Sequence, residues 1–143
     1  MKGHSTLVPI VLLAAAVATS SAAGELVVIV HATREVELSS GEVSQIYLKQ
    51  RRFWSNGESI IALNRNSDSN ARRIFDRAIF GRNTKRLAVY WNRRYFDGVF
   101  PPSTLASDEA MKHFVANERL AVGYIHPDLV DASVRVVLRL NAQ

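Results

Sequence analysis

The segment ELVVIVH, Glu25 to His31, constrains the fold more than any other part of the chain. It is a continuous apolar run, and Val27, Val28, Ile29 and Val30 are β-branched. Successive side chains of a strand point to opposite faces of its sheet, so a strand that is apolar throughout must be covered on both sides. The cover has to come from the rest of the chain.

Helical and strand patterns alternate after it. Ser39 and Glu42 have the spacing of a capping box, and Val43, Ile46 and Tyr47 share one face of a helix beginning near Ser40. SNGE, Ser55 to Glu58, reads as a turn, and SIIAL, Ser59 to Leu63, as a second short strand. Ala71, Ile74, Phe75, Ala78 and Ile79 repeat at helical spacing, and Gly81 stands where a helix ends. Another helix is expected from Asn83 or Thr84, with Leu87, Tyr90, Trp91 and Tyr95 buried. It stops before Asp97-Gly98, and Pro101-Pro102 bars continuation. STLA, Ser103 to Ala106, is a short strand. Ser107, Asp108 and Glu109 suit a helix start by capping and by charge, with Ala110, Met111, Phe114 and Val115 facing the core. LAVGYI, Leu120 to Ile125, and VRVVLRL, Val134 to Leu140, close the chain as strands, with Arg135 and Arg139 outward. The alternation predicts one α/β domain of three layers with a mixed, mostly parallel sheet.

Residues 1–23 stand apart. Lys2 and His4 precede a 12-residue apolar core, Leu7 to Ala18, and TSSAA ends the segment in small residues. That order is the pattern of a secretory signal peptide, with cleavage expected after Ala23 and no stable membrane anchor afterwards; about 20 apolar residues are needed to span a bilayer. The expected domain is 24–143, and the expected location is the periplasm. This part has 17 basic and 13 acidic side chains, for a net charge of +4, and 14 of the 17 are arginine. Arginine suits bidentate recognition of phosphate and carboxylate. Without cysteine, a core of about 120 residues must hold the fold alone.

The usual enzyme patterns are missing: no G-x-S-x-G, H-E-x-x-H, P-loop or G-x-G-x-x-G, and no cysteine. His31, His113 and His126 are widely spaced, with no carboxylate in a metal-ligand register. The chain reads as a non-enzyme that needs no cofactor or metal. Arg93, Arg94, Tyr95 and Phe96 interleave basic and aromatic groups, but Tyr95 falls on an apolar helix face and the chain reads as exported, so nucleic acid is not the expected partner.

The segment NRNSDSNARRIF, residues 64–75, holds the candidate site. A helix N-terminus offers free N–H groups and partial positive charge to an oxyanion. Arg65 just upstream adds a charge-assisted donor, and serine hydroxyls can donate to the same oxygens. The competing reading is that Ser67 or Asp68 caps the helix while Arg65 pairs with Asp68.

Three segments resemble the phosphate-binding proteins of ABC phosphate uptake systems, in the type 2 periplasmic binding protein superfamily. LSSGEVSQIYLKQRRFWSNGESIIALNR, Leu38 to Arg65, is similar to that family's L-S-x-x-E-(L/V)-x-x-I-(F/Y)-x-G-K…W helix and turn. RNSDSNARRIF matches in position the R-x-D-x-S-G-T-x-x-x-F anion-binding turn, and LAVGYI the (A/G)-I-G-Y strand. The resemblance implies a single lobe of periplasmic-binding-protein type, in a family whose members are longer and clamp phosphate between two lobes. It puts Arg65 at the arginine, Ser69 at the serine, Ser67 at the aspartate, and Asn70 and Ala71 at the glycine and threonine. The ligand-binding set is therefore Arg65, Ser67, Ser69 and Asn70, the ligand phosphate or a similar oxyanion, and an ABC transporter permease a possible recipient. The alternative is an exported interaction module, with the arginine pairs 51–52, 72–73 and 93–94 facing an acidic protein partner and an apolar patch around Trp54, Trp91 or Phe96. Anion binding calls for an accessible, positive concavity at residues 65–70 with no carboxylate in it; Asp68 pointing into it, or Arg65 locked into an internal ion pair, counts against it.

Overall fold

The computed structural model describes residues 2–3, 24–81 and 84–141. The expected signal peptide, with its apolar core Leu7–Ala18 and its boundary after Ala23, lies outside the described residues, as does Asn83.

Strand β1 (Glu25–His31) runs where its sequence places it, with Leu26 to Val30 all buried. The elements that follow are α1 (Ser40–Tyr47), β2 (Ile61–Arg65), α2 (Asn70–Phe80), α3 (Thr84–Phe96), β3 (Ser103–Leu105), α4 (Asp108–Asn117), β4 (Ala121–Ile125) and β5 (Val134–Asn141). A single 3-10 turn, Pro127–Leu129, joins the last two strands.

The sheet order is β3-β2-β4-β1-β5. Strand β2 is parallel to β3 and β4, whereas β1 is antiparallel to β4 and β5. Strands β2 to β5 therefore share a direction and β1 alone opposes them, which is the mixed, mostly parallel sheet expected. One edge collects the carboxyl ends of β2, β3 and β4, and the other collects their amino ends.

Two apolar clusters give the three layers. Leu26, Val28 and Val30 pack with Val43, Ile46 and Tyr47 of α1 and Phe75 of α2 on one face. Val27 and Ile29 pack with Met111 and Val115 of α4 on the other. On the first face the Phe75 ring stacks on Tyr124, with centroids 4.0 Å apart and planes 5° from parallel, and Tyr47 sits 4.6 Å from Phe75. On the second, a side chain at Gly123 would run into Met111 and Val115, so this glycine lets α4 approach the sheet. The capping box of α1 is formed: Ser39 Oγ accepts the Glu42 N–H, and Glu42 accepts the Ser39 N–H at 2.8 Å.

Three details depart from the sequence expectation. Strand β2 covers Ile61–Arg65 rather than Ser59–Leu63, because Ser59 bridges Phe53 and the Ile60 N–H donates to Arg52 O at 2.8 Å. That small hairpin uses the backbone that would otherwise have begun the strand. Tyr95, expected in the core, is 62% exposed, and no described side chain of α3 is fully buried. The three-residue edge strand β3 is too short to cover the apolar stripe of a 13-residue helix. Phe114 is also exposed; α4 turns Met111 and Val115 inward, four residues apart, and leaves Phe114 on its flank. Among the described residues, no helix is long and apolar enough to cross a membrane.

Candidate functional site

Arg65 ends β2 at the carboxyl edge, and its backbone is fixed before its side chain is considered. The Arg65 N–H donates to Asn64 Oδ1 at 3.0 Å, and the Tyr124 hydroxyl lies 3.2 Å from the same nitrogen. The Tyr124 hydroxyl also donates to Asn64 Oδ1. Burial pushes the Tyr124 phenol well above its ordinary range, which keeps it a neutral donor.

Each nitrogen of the Arg65 guanidinium has a protein acceptor. Nε donates to Leu105 O and Nη2 to Ala106 O, both at 3.2 Å, and Nη1 donates to Asp108 Oδ1. The other oxygen of Asp108 accepts the His126 N–H at 2.9 Å. The Arg65 and Asp108 side chains are 11% and 16% exposed. Together these bonds fasten the end of β2 to β3, the start of α4 and the end of β4.

The adjoining turn does the capping. Ser69 is the N-cap of α2, its Oγ accepting the Arg72 N–H at 3.1 Å, so capping falls to Ser69 rather than to Ser67 or Asp68. Ser67 and Asp68 are exposed, and Asn70, the first residue of α2, is exposed beside them. Arg72 turns inward: Nε reaches both oxygens of Asp76 at 3.0 and 2.9 Å, and Nη1 donates to Arg65 O at 3.0 Å. Burial raises the Asp76 carboxyl above its ordinary value, with Arg72 opposing the shift.

A cavity of about 370 Å³ opens at this edge, where the N-termini of α2 and α4 meet. Arg65 and Asn70 are on its wall; Ser67 and Ser69 are not. Asp108, Glu109 and Glu25 are also on the wall, which corrects the expectation of a carboxylate-free concavity. Asp68 does not line it. Asp108, rather than the expected Asp68, is the carboxylate paired with Arg65. It was assigned to the dipole of α4, and its pairing with Arg65 spans 43 residues, beyond the reach of any local pattern.

The expected basic surface is thinner than its composition. Arg51 donates to Glu42 at 3.2 Å, Arg72 to Asp76, and Arg94 lies 3.9 Å from Asp97, so each arginine pair has a member held by a carboxylate of the chain. Of the aromatic residues expected in an interaction patch, Trp54 is buried and donates to Leu120 O, while Trp91 is half-buried. Phe96 is 88% exposed, with Tyr95 and Phe100 beside it, the Tyr95 ring edge-on to both at 6.1 and 5.5 Å. Among the described residues, no group of three or more His, Cys, Asp or Glu could hold a metal ion.

No family model matches the chain, and no curated protein matches it. Solved structures do. A phosphate ABC transporter substrate-binding protein with bound phosphate from Clostridium perfringens aligns with TM-score 0.60 and 23% identity over 78% of this chain and 43% of its own. An ABC-type phosphate transport receptor from Vibrio cholerae aligns with TM-score 0.61, 20% identity and coverage of 78% and 44%. PstS from Borrelia burgdorferi gives 0.61, 13% identity and coverage of 78% and 46%. The chain spans less than half the length of each. At these identities the likeness establishes the fold, that of a periplasmic-binding-protein lobe.

Proposed function

We propose that this lobe is an exported, substrate-binding-protein-like domain that holds phosphate or a similar oxyanion at its carboxyl edge. One observation carries the reading: Arg65 and Asn70 share a cavity wall with the first turns of two helices. The first N–H groups of α2 and α4 have no acceptor within their helices, and both dipoles favour an anion there. Residues at the carboxyl ends of parallel strands are where open α/β sheets ordinarily bind ligands.

Each candidate has a role in this reading. Arg65, held by Leu105, Ala106 and Asp108, has one further N–H on each Nη to offer; Asn70 offers its amide and backbone N–H. Ser69, off the cavity wall itself, accepts from Arg72 and so keeps its own proton free in the turn that carries Asn70, with Ser67 beside it. Asp108 makes the site selective. At neutral pH phosphate retains a P–OH, which can donate to a carboxylate, and sulfate has no such proton. A single lobe covers less of its ligand than an enclosed pocket, so affinity is modest. The reading includes export by residues 1–23 and delivery to an ABC transporter permease. The interaction-module alternative has the exposed Tyr95, Phe96 and Phe100 in its favour, but nothing there identifies a partner.

Calorimetric titration with phosphate and with sulfate, in phosphate-free buffer, tests the proposal. Saturable heat with phosphate and about tenfold weaker binding of sulfate are expected, a difference of about 1.4 kcal/mol. Asp108→Asn should narrow that gap, and Arg65→Ala should abolish binding. No heat from folded wild-type protein overturns the reading and leaves Ser69 as a cap alone.

A further inference from the structure

The opposite edge of the sheet, at the amino ends of β2 and β3, holds a larger cavity of about 530 Å³. It lies between the end of α1, the hairpin at 52–60 and the segment 98–103. Ile46, Ile60 and Ala62 are among its apolar lining, and Lys49, Arg51 and Arg52 line it as cations. Among the described residues no carboxylate lines it, in contrast to the cavity beside Arg65.

Lys49 is the unusual residue there. Its backbone sits at φ 60°, a left-handed conformation taken by no other described non-glycine residue. This closes α1 through the Lys49 N–H to Ile46 O at 3.1 Å and the Gln50 N–H to Gln45 O at 2.8 Å, a task for which glycine is the unstrained choice. The Lys49 ammonium has no hydrogen-bond or ion-pair partner among the described residues. It is half-buried, and that burial, together with the nearby charge of Arg52, lowers its pKa. The chain thus carries a strained backbone and a partly desolvated cation with no return inside the described structure. Strain of this kind collects at ligand sites. Phe53 and Phe100, both on the same cavity, are 58% and 59% exposed, so large apolar surfaces adjoin the free charge.

We propose that this groove is a second ligand site that takes a small organic anion, its carboxylate on Lys49 and Arg52 and its apolar part against Phe53 and Phe100. Charge complementarity sets the anionic head, and the two phenyl faces set the tail. The volume is within the range of small-molecule sites. Arg51 is a weaker contributor, since Glu42 already occupies it.

The test is titration of the full chain with 3-phenylpropionate, followed by amide chemical shifts, with 3-phenylpropanol and inorganic phosphate as separate arms. Saturable shifts confined to residues 46–62 and 98–103 are expected, unchanged in excess phosphate, and about tenfold weaker for the neutral alcohol. Persistence in excess phosphate keeps this site separate from the fate of the Arg65 reading. Lys49→Gly should weaken phenylpropionate binding about tenfold while raising the melting temperature by about 4 °C as backbone strain is released. Phe53→Ala should weaken it without that gain. Equal affinity for acid and alcohol, unaltered binding by Lys49→Gly, or phosphate displacing the probe from these residues would each overturn the proposal.

Discussion

Arg65 and Lys49 mark opposite edges of one sheet, and they differ in what their charge is already doing. Every nitrogen of the Arg65 guanidinium has a protein acceptor, whereas the Lys49 ammonium has none among the described residues. On the proposed reading, an anion at the carboxyl edge must share Arg65 with Asp108, and so would gain selectivity at the expense of strength. At the amino edge an anion meets a cation that is already partly desolvated. A net charge of +5 does not distinguish these two situations. Recognition depends on which charges remain free after folding, not on how many the sequence contains.

The contrast is broken most directly by removing each cation in turn. Arg65→Ala leaves the Asp108 carboxylate mostly buried with the His126 N–H as its remaining donor, and a cost of about 3 kcal/mol is expected. Lys49→Ala should lie within about 0.5 kcal/mol of wild type, since its ammonium gives up no hydrogen bond or ion pair among the described residues. Urea denaturation midpoints at constant slope measure both. Arg65→Ala with Asp108→Ala should cost less than the two single changes added, because each alone strands its partner. A cost for Arg65→Ala as small as that for Lys49→Ala would mean that the edge is not stapled through this pair.

The same division governs what the sequence made legible. Strand β1, the capping box at Ser39 and Glu42, and the apolar stripe ending at Gly81 are local signals, and they place the layers correctly. The cap at Ser69 is within reach of the same logic, yet the expectation falls on Ser67 or Asp68, and the turn geometry moves it to Ser69. Asp108 was unreadable as Arg65's partner because no spacing rule spans 43 residues. The start of β2 slipped by two residues because Ser59 and Ile60 are claimed by a hairpin whose other side, Arg52 and Phe53, gave no strand signal. Tyr95 failed for another reason: periodicity reports which face of a helix is apolar, not whether enough sheet exists to cover it; Phe114 sits on the flank of a stripe that Met111 and Val115 already fill.

A smaller effect separates capping from ligand binding in the turn itself. Ser69→Ala removes the acceptor for the Arg72 N–H and should cost about 1 kcal/mol, whereas exposed Ser67→Ala should be near neutral in stability. Thermal melts with and without phosphate then sharpen the comparison. A ligand adds stability in proportion to its binding to the folded state, so a serine that touches the anion should reduce the phosphate-induced rise as well as the baseline. If Ser69→Ala lowers the baseline while the rise stays as in wild type, the residue is a cap and the anion is held without it.

The smallest expected effect joins both edges of the argument through Glu42. Its carboxylate accepts the Ser39 N–H at 2.8 Å and Arg51 Nη1 at 3.2 Å, so one side chain both caps α1 and neutralises a cation of the groove. The Ser39 backbone bond chiefly, then the Ser39 hydroxyl, holds the Glu42 pKa below its ordinary 4.5, with Arg51 adding to the effect. A depressed folded-state pKa gives stability that is present above 4.5 and is lost as pH falls through the folded value. Glu42→Gln retains an acceptor for Ser39 but cannot titrate, so the acid limb of the stability curve should flatten below that point. It also frees Arg51, and phenylpropionate should bind about twofold tighter, the scale of an exposed ion pair. Chemical-shift titration at neutral pH and denaturation between pH 3 and 5 read the two consequences separately. A flatter acid limb with unchanged groove affinity would assign Arg51 to the helix cap and leave Lys49 and Arg52 as the whole of the groove's charge.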